Sequence, residues 1–319
     1  MSSFTYRVGI DRQRPVLSLD EDAATDSIVD KLKEKLEIKI ISSDSDSIVF
    51  DLIGVDACIA NSLRRIMLAE VPTMAVESIY IKDNTTVMQD EVLAHRIGLV
   101  PILADATKFL EAVEGSKPTE RDTLVFKLDV KRDMKTGEPN TVYSKDLVWI
   151  PHGDQESDHG KNSFKVVHDD IILAKLADDN RISLEAHCQK GIGKDHAKFS
   201  PCATASYRLL PEIRLMKPIT DNLAKELKAN CPMDVFDIED LKGIPTAKVA
   251  RPRDCTMCRE CIRKQDWSDG TRVQLHRVAN HFIFSVETAG SIAPEKIVTE
   301  ALKVLKTKAL AFKDIVPSE

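Results

Sequence analysis

The sequence predicts an α+β fold in which a helix beside a pair of strand-like segments stands near each end of the chain and β-rich excursions run between them. Three observations predict it. Apolar residues recur at helical spacing near both ends, as Ile59, Leu63, Ile66 and Met67 and again as Ile297, Val298, Ala301, Leu302, Leu305, Ala309 and Phe312. Each helical stretch adjoins two strand-like segments, 37–41 with 47–53 and 272–278 with 281–287. Between them lie a strand-rich region over 103–209 and a segment dense in cysteine over 231–261.

In chain order, residues 1–36 are polar, acidic around Asp20 to Asp26, and are expected to form an extension with a short helix near 28–36. The segments 37–41 and 47–53 alternate apolar with polar, and Asp44-Ser45-Asp46 supplies the turn of a hairpin. Asp56 is placed to cap a helix running through Glu70, which Val71-Pro72 stops because proline lacks an amide proton and disfavours helix before it. Val76, Ile79 and Ile81 mark a strand over 74–81. A second helix over 89–97 ends at Gly98, with Pro101 beyond.

Candidate strands follow at 124–130, 146–149, 165–167, 181–188 and 203–210, separated by turn-rich stretches at 115–121 and 151–162. A helix over 221–229 and the apolar run Val235, Phe236, Ile238 frame a small insert. After the last two strands, Gly290 breaks the chain and Pro294 opens the terminal helix.

Composition excludes several classes. Lys and Arg number 45 against 51 Asp and Glu, a net charge of −6, which gives no global attraction to nucleic acid and leaves only local basic patches. Aromatic residues are 5%, too few to favour a base-stacking protein. No apolar run is long enough for a bilayer and residues 1–20 lack a signal-peptide core, so an intracellular protein is expected. Seven cysteines, an odd number with four in one region, point to metal ligation rather than a disulfide framework.

Two motifs invite chemistry that their context does not support. His152, His159, His168, His187 and His196 fit neither a helical ligand pair nor a short ligand loop, so they read as separate side chains. Gly191-x-Gly193 runs on into a strand, whereas a phosphate-binding loop opens a helix.

The sharpest signal is Cys255-x-x-Cys258-x-x-Cys261 with Cys231-Pro232 upstream. Thiolates at three-residue intervals can wrap one centre, and bacterial ferredoxins use such a run with a Cys-Pro ligand serving the other cluster. Gln265 stands where the last cysteine of that run would fall, so one four-iron four-sulfur cluster is the economical expectation. Structural zinc is the alternative, although it more often uses two Cys-x-x-Cys pairs. Arg251, Arg253, Arg259, Arg263 and Lys264 flank the loop, in keeping with an anionic centre, a nucleic-acid contact or a solvated face.

The stretch 55–101, VDACIANSLRRIMLAEVPTMAVESIYIKDNTTVMQDEVLAHRIGLVP, closely resembles the signature of the α-like subunits of RNA polymerases. The phrase at 190–211, KGIGKDHAKFSPCATASYRLLP, is similar to the branch of that family shared by nuclear RNA polymerases I and III. The archaeal member of the family is similar in carrying a ferredoxin-like insert with such cysteines, whereas many eukaryotic relatives lack them.

The resemblance implies an RNA-polymerase-alpha-like dimerisation domain from 37–84 and 272–319, a β-rich insert domain over 85–210 and a ferredoxin-like cysteine insert over 211–271, behind the 1–36 extension. It implies that Asn61, Leu63, Arg64 and Ile66, with Ile297, Ala301, Leu302 and Leu305, meet a smaller α-like subunit, and that Arg96, Gly98 and Pro101 face the two large catalytic subunits. Cys231, Cys255, Cys258 and Cys261 would hold the cluster.

The expected protein is a non-catalytic assembly platform of the nucleus and nucleolus, touching nucleic acid only through the complex and having no contact with membrane. No catalytic residue is assigned, since no nucleophile–base pair or paired carboxylates stand in a supporting context. The polymerase II counterpart is the nearer alternative, and an iron–sulfur electron-transfer protein the more distant one.

Overall fold

The computed structural model describes residues 7–10, 15–17, 28–113, 115, 117–132, 141–177, 179–241, 243–263 and 272–315. The largest sheet has six strands, ordered Pro15–Leu17, Arg7–Ile10, Val273–Thr288, Ser47–Ile53 and Glu37–Ser43, with Cys202–Leu215 also pairing with Val273–Thr288. The segment expected as an extension with a short helix therefore contributes two strands besides that helix, Ile28–Lys35. By compactness the chain divides into two units, one of 1–41, 49–61 and 207–284, the other of 42–48, 62–206 and 285–319.

In the first unit the hairpin forms as its alternation requires. Phe50 is buried and stacks on Phe284 with ring centroids 5.0 Å apart, and Tyr207 meets Phe282 edge-on. Its partner Glu37–Ser43 is exposed along its length, as befits an edge strand. Gly54 then turns the chain toward the helix at φ +82°, where a Cβ would lie 2.0 Å from the Lys35 carbonyl oxygen, so the position demands glycine.

The insert in this unit is the helix Asp221–Asn230 against the antiparallel hairpin Phe236–Leu241 and Ile244–Val249. Its core gathers Ile213, Ile219, Ala224, Leu227, Val235, Phe236, Ala247 and Val273, with Cys231, Cys255 and Cys261 packed against it.

The second unit holds a four-stranded antiparallel sheet ordered Thr73–Asn84, Arg181–Gly191, Thr123–Lys131 and Val148–Ile150. Leu124, Phe126 and Leu128 alternate inward opposite Cys188, Ala186 and Leu184. A one-residue slip would turn that whole set to water, which fixes the register. The helix Asp90–Gly98 covers this core with Leu93 and Ile97, and its acidic first turn and basic last turn complement the helix dipole.

Several local expectations are corrected here. Gly98 does not cap its helix in a left-handed conformation; Leu99 ends the helix at φ −86°. The strand expected over 146–149 is a tight turn, Ser144–Asp146, followed by Val148–Ile150, because the Asp146 carboxylate accepts from the Tyr143 amide at 2.8 Å. The stretch 151–162 contains the short helix Gln155–His159. Gly193 serves packing: a Cβ would lie 2.5 Å from the Leu68 carbonyl oxygen, and the next amide, of Lys194, donates to the Ala69 carbonyl at the helix end.

Candidate functional site

The helix Ala57–Ala69 starts where Ile59 and Ala60 amides donate to the Asp56 carbonyl, as the expected cap position requires. The terminal helix, Pro294–Ile315, is 22 residues long, about 33 Å at 1.5 Å per residue. Within the second unit Lys308 of the terminal helix bonds both oxygens of Glu70, at 2.7 and 2.8 Å, so the two ends of the sequence meet.

The eight residues expected at a partner interface do not share one exposure. Leu63, Ile66, Ile297 and Ala301 are buried by the chain itself, and Asn61, Arg64 and Leu305 are half-buried. A side chain already out of water has little area left to give a partner. Those four residues belong to the chain's own core. What faces solvent is Leu302, 41% exposed, and then Leu310, Phe312 and Ile315, the last two 67% and 77% exposed. Leu310 and Ile315 were missed because they lie off the apolar stripe that runs through Leu305, Ala309 and Phe312.

The 96–101 segment is more occupied than the sequence implies. The Arg96 guanidinium donates to the carbonyls of Ile172 and Leu173 at 2.5 and 3.0 Å, Gly98 is buried, and the Pro101 carbonyl accepts from the Val167 amide. His95, Leu99 and, despite these bonds, Arg96 are the exposed members of that motif.

Cys231, Cys255, Cys258 and Cys261 line one small pocket with Ile213, Phe236 and Arg259. Cys231 follows the helix Asp221–Asn230, and the other three lie on a loop stiffened by two single turns, Pro252–Asp254 and Glu260–Ile262. Asp234, Met257 and Arg259 take left-handed backbone angles that bend the chain around the sulfurs. The Val235 amide points at Cys231 Sγ (3.5 Å) and the Met257 amide at Cys255 Sγ (3.4 Å), the kind of donor that stabilises a thiolate ligand. Burial pushes the Cys261 thiol up to about 12, with the neighbouring cysteines adding to it, and raises Cys255 as well. Among the described residues no group of three or more His, Cys, Asp or Glu side chains is arranged to hold a single metal ion.

The basic flank is largely neutralised. Arg251 pairs with Asp234 and Asp237 at 2.7 and 3.1 Å, and Arg263 with Glu260 at 3.2 Å. Arg253 forks onto both oxygens of Asp51, each at 2.8 Å, while His281 Nε2 lies 3.0 Å from the same carboxylate. Burial alone would raise the Asp51 carboxyl, but the bonds to Arg253 and His281 outweigh it and hold it below its ordinary value. Lys264 and Gln265 lie outside the described residues.

The histidines take separate roles. His159 stacks on Phe109, His187 meets Tyr80 edge-on, and His196 accepts from the Lys198 amide.

A discontinuous α+β chain that leaves the apolar end of a long helix in solvent is a protein built to be completed by another. Residues 49–309 match the RNA polymerase Rpb3/Rpb11 dimerisation domain, and the chain belongs to that family. It is 43% identical over 298 residues to the DNA-directed RNA polymerases I and III subunit RPAC1 of Bos taurus, covering 89% of this chain and 86% of the relative. It is 41% identical over 311 residues to the subunit of the same name from Saccharomyces cerevisiae, covering 92% and 91%. Similarity to the DNA-directed RNA polymerase II subunit rpb3 of Dictyostelium discoideum is lower, 32% over 291 residues, covering 88% and 94%.

Proposed function

We propose that this chain is the non-catalytic subunit shared by RNA polymerases I and III, pairing with a smaller α-like subunit to form the platform on which the two large catalytic subunits assemble in the nucleus and nucleolus. The observation that carries this reading is the match to the dimerisation family together with the exposed apolar side chains Leu302, Leu310, Phe312 and Ile315 on the terminal helix. Each such side chain, once covered, contributes roughly 1.5–3 kcal/mol. The higher identity to the polymerase I and III subunits than to the polymerase II subunit favours the shared role. Purification through a tag on the native protein tests it: the large subunits of both polymerases I and III are expected, and recovery of polymerase II subunits alone would overturn it.

The insert over 211–271 is read as a ferredoxin-like module in which Cys231, Cys255, Cys258 and Cys261 hold one four-iron four-sulfur cluster that staples the loop. Four sulfurs around one pocket, two of them facing backbone amides, support this reading. A zinc ion with bonds of about 2.3 Å draws its four sulfurs together tightly, whereas a cube spaces them more widely. Three cysteines at three-residue intervals with a distant Cys231-Pro232 suit the larger centre. Anaerobic purification followed by metal analysis distinguishes the two. Iron and sulfide near four per chain, lost in Cys258→Ser, are expected; a zinc-loaded, iron-free chain would exclude the cluster.

A further inference from the structure

The four cysteines come from two separate pieces of chain, both in the first unit. Cys231 closes the helix Asp221–Asn230, whereas Cys255, Cys258 and Cys261 share one loop beyond the hairpin that follows it. Three-residue spacing lets that loop gather its own sulfurs. It cannot fix where the fourth one stands, so another contact must hold the Cys231 turn against the loop.

Arg251 makes that contact. Its amide and that of Ala250 both donate to the Val235 carbonyl at 3.0 Å. Its guanidinium donates three times to the same stretch: Nε to the Asp234 carbonyl at 2.7 Å, one terminal nitrogen to the Asp234 carboxylate at 2.7 Å, and the other to Asp237 at 3.1 Å. The accepting stretch is itself hung on Cys231. The Asp234 amide donates to the Cys231 carbonyl at 3.2 Å and the Val235 amide points at the sulfur. Lys228, in the last turn of the preceding helix, donates to Asp237 at 2.6 Å. On its other side Arg251 leads into the turn Pro252–Asp254, which delivers Cys255. The neighbouring arginines point elsewhere: Arg253 reaches Asp51 in the hairpin, and Arg263 reaches Glu260 within the loop.

We propose that Arg251 is the positioning residue of the cysteine site, the side chain that sets Cys231 in place relative to the other three sulfurs. A planar guanidinium fixes direction as well as distance, which an ammonium on a flexible stem does not. The side chains of Arg251 and Asp234 are 39% and 63% exposed, and pairs in the open contribute little to global stability. The contribution of Arg251 is therefore placement rather than folding. The inference rests on reading the four cysteines as one ligand set.

The test uses the full chain purified anaerobically with its metal. Retention of metal against a chelator, and the alkylation rate of each cysteine by iodoacetamide read by peptide mass spectrometry, are compared in wild type, Arg251→Gln, Arg251→Lys and Arg263→Gln. In Arg251→Gln the metal should be held roughly ten- to a hundredfold more weakly, the scale seen when a group that orients metal ligands is removed, and Cys231 should be alkylated at least about tenfold faster. Arg251→Lys keeps the charge but not the fork, and should behave like Arg251→Gln. Arg263→Gln removes a charge from the same loop and should behave like wild type. Thermal unfolding should stay close to wild type in all three variants. Wild-type protection of Cys231 in Arg251→Gln, full rescue by Arg251→Lys, or loss of the cooperative melt would overturn the proposal. A wild-type chain that binds no metal would instead overturn the ligand-set reading itself.

Discussion

The helices Ala57–Ala69 and Pro294–Ile315 carry the same apolar spacing, yet they end in different surroundings. Leu63, Ile66 and Met67 are closed off from water by their own chain. The terminal helix buries Ile297 and Ala301 but leaves Leu302, Leu310, Phe312 and Ile315 outside. Equal periodicity therefore ends in unequal surroundings: the apolar stripe of one helix is core, while the other helix is core in its first turns and carries exposed apolar side chains afterwards.

The ties near the first helix differ in the same way. Upstream, Asp51 is 4% exposed and held by Arg253 and His281. At the far end, Glu70 and Lys308 pair in the open.

The largest effect that can break this comparison is Leu63→Asp. A charge in the closed site should cost more than about 4 kcal/mol and unfold the chain rather than merely prevent pairing. A soluble, cooperatively melting Leu63→Asp variant would show that the helix is less covered than described.

Next in size is Asp51→Asn, which leaves Arg253 without its counter-charge and should cost about 3 kcal/mol in urea unfolding. The same carboxyl predicts a pH dependence. Its native pKa lies below the unfolded value of about 3.9, so the unfolded chain takes up the proton first. The clamp's contribution is complete above that value and is lost as pH falls through the depressed native pKa. The wild-type urea midpoint should fall toward that of Asp51→Asn in strong acid, and parallel curves at all pH would refute the assignment.

A smaller effect on stability, but a large one on association, is expected from Phe312→Asp. Thermal unfolding of the isolated chain should barely move, since the ring is already solvated. Affinity for the smaller subunit should drop at least about tenfold. The smallest effect belongs to Lys308→Ala, below about 0.5 kcal/mol, because an exposed pair is screened and loses side-chain entropy. A loss of several kcal/mol there would mean that the first helix depends on its open tie as much as on the buried one.

Much of the fold was legible because neighbours in the chain encode it. The hairpin, both major helices, three strands of the four-stranded sheet and the Pro294 start follow from short-range periodicity and turn residues. Other features were not legible. Arg96 reads as a free cation in a motif, but its donors are taken by Ile172 and Leu173, residues far along the chain. The Arg7–Ile10 strand pairs with Val273–Thr288, so nothing local could announce it. The four cysteines were legible as one group, which the fold gathers around a single pocket, whereas the tie of their loop to the hairpin through Arg253 and Asp51 was not.

By itself the sequence determined which segments are helical or extended, which four cysteines belong together, and the polymerase family through its literal motifs. Only the tertiary structure decided which apolar side chains stay wet and which arginines are already paired. The reason is physical: backbone preference and side-chain chemistry act over a few residues, while burial and charge pairing depend on chain that arrives from hundreds of residues away.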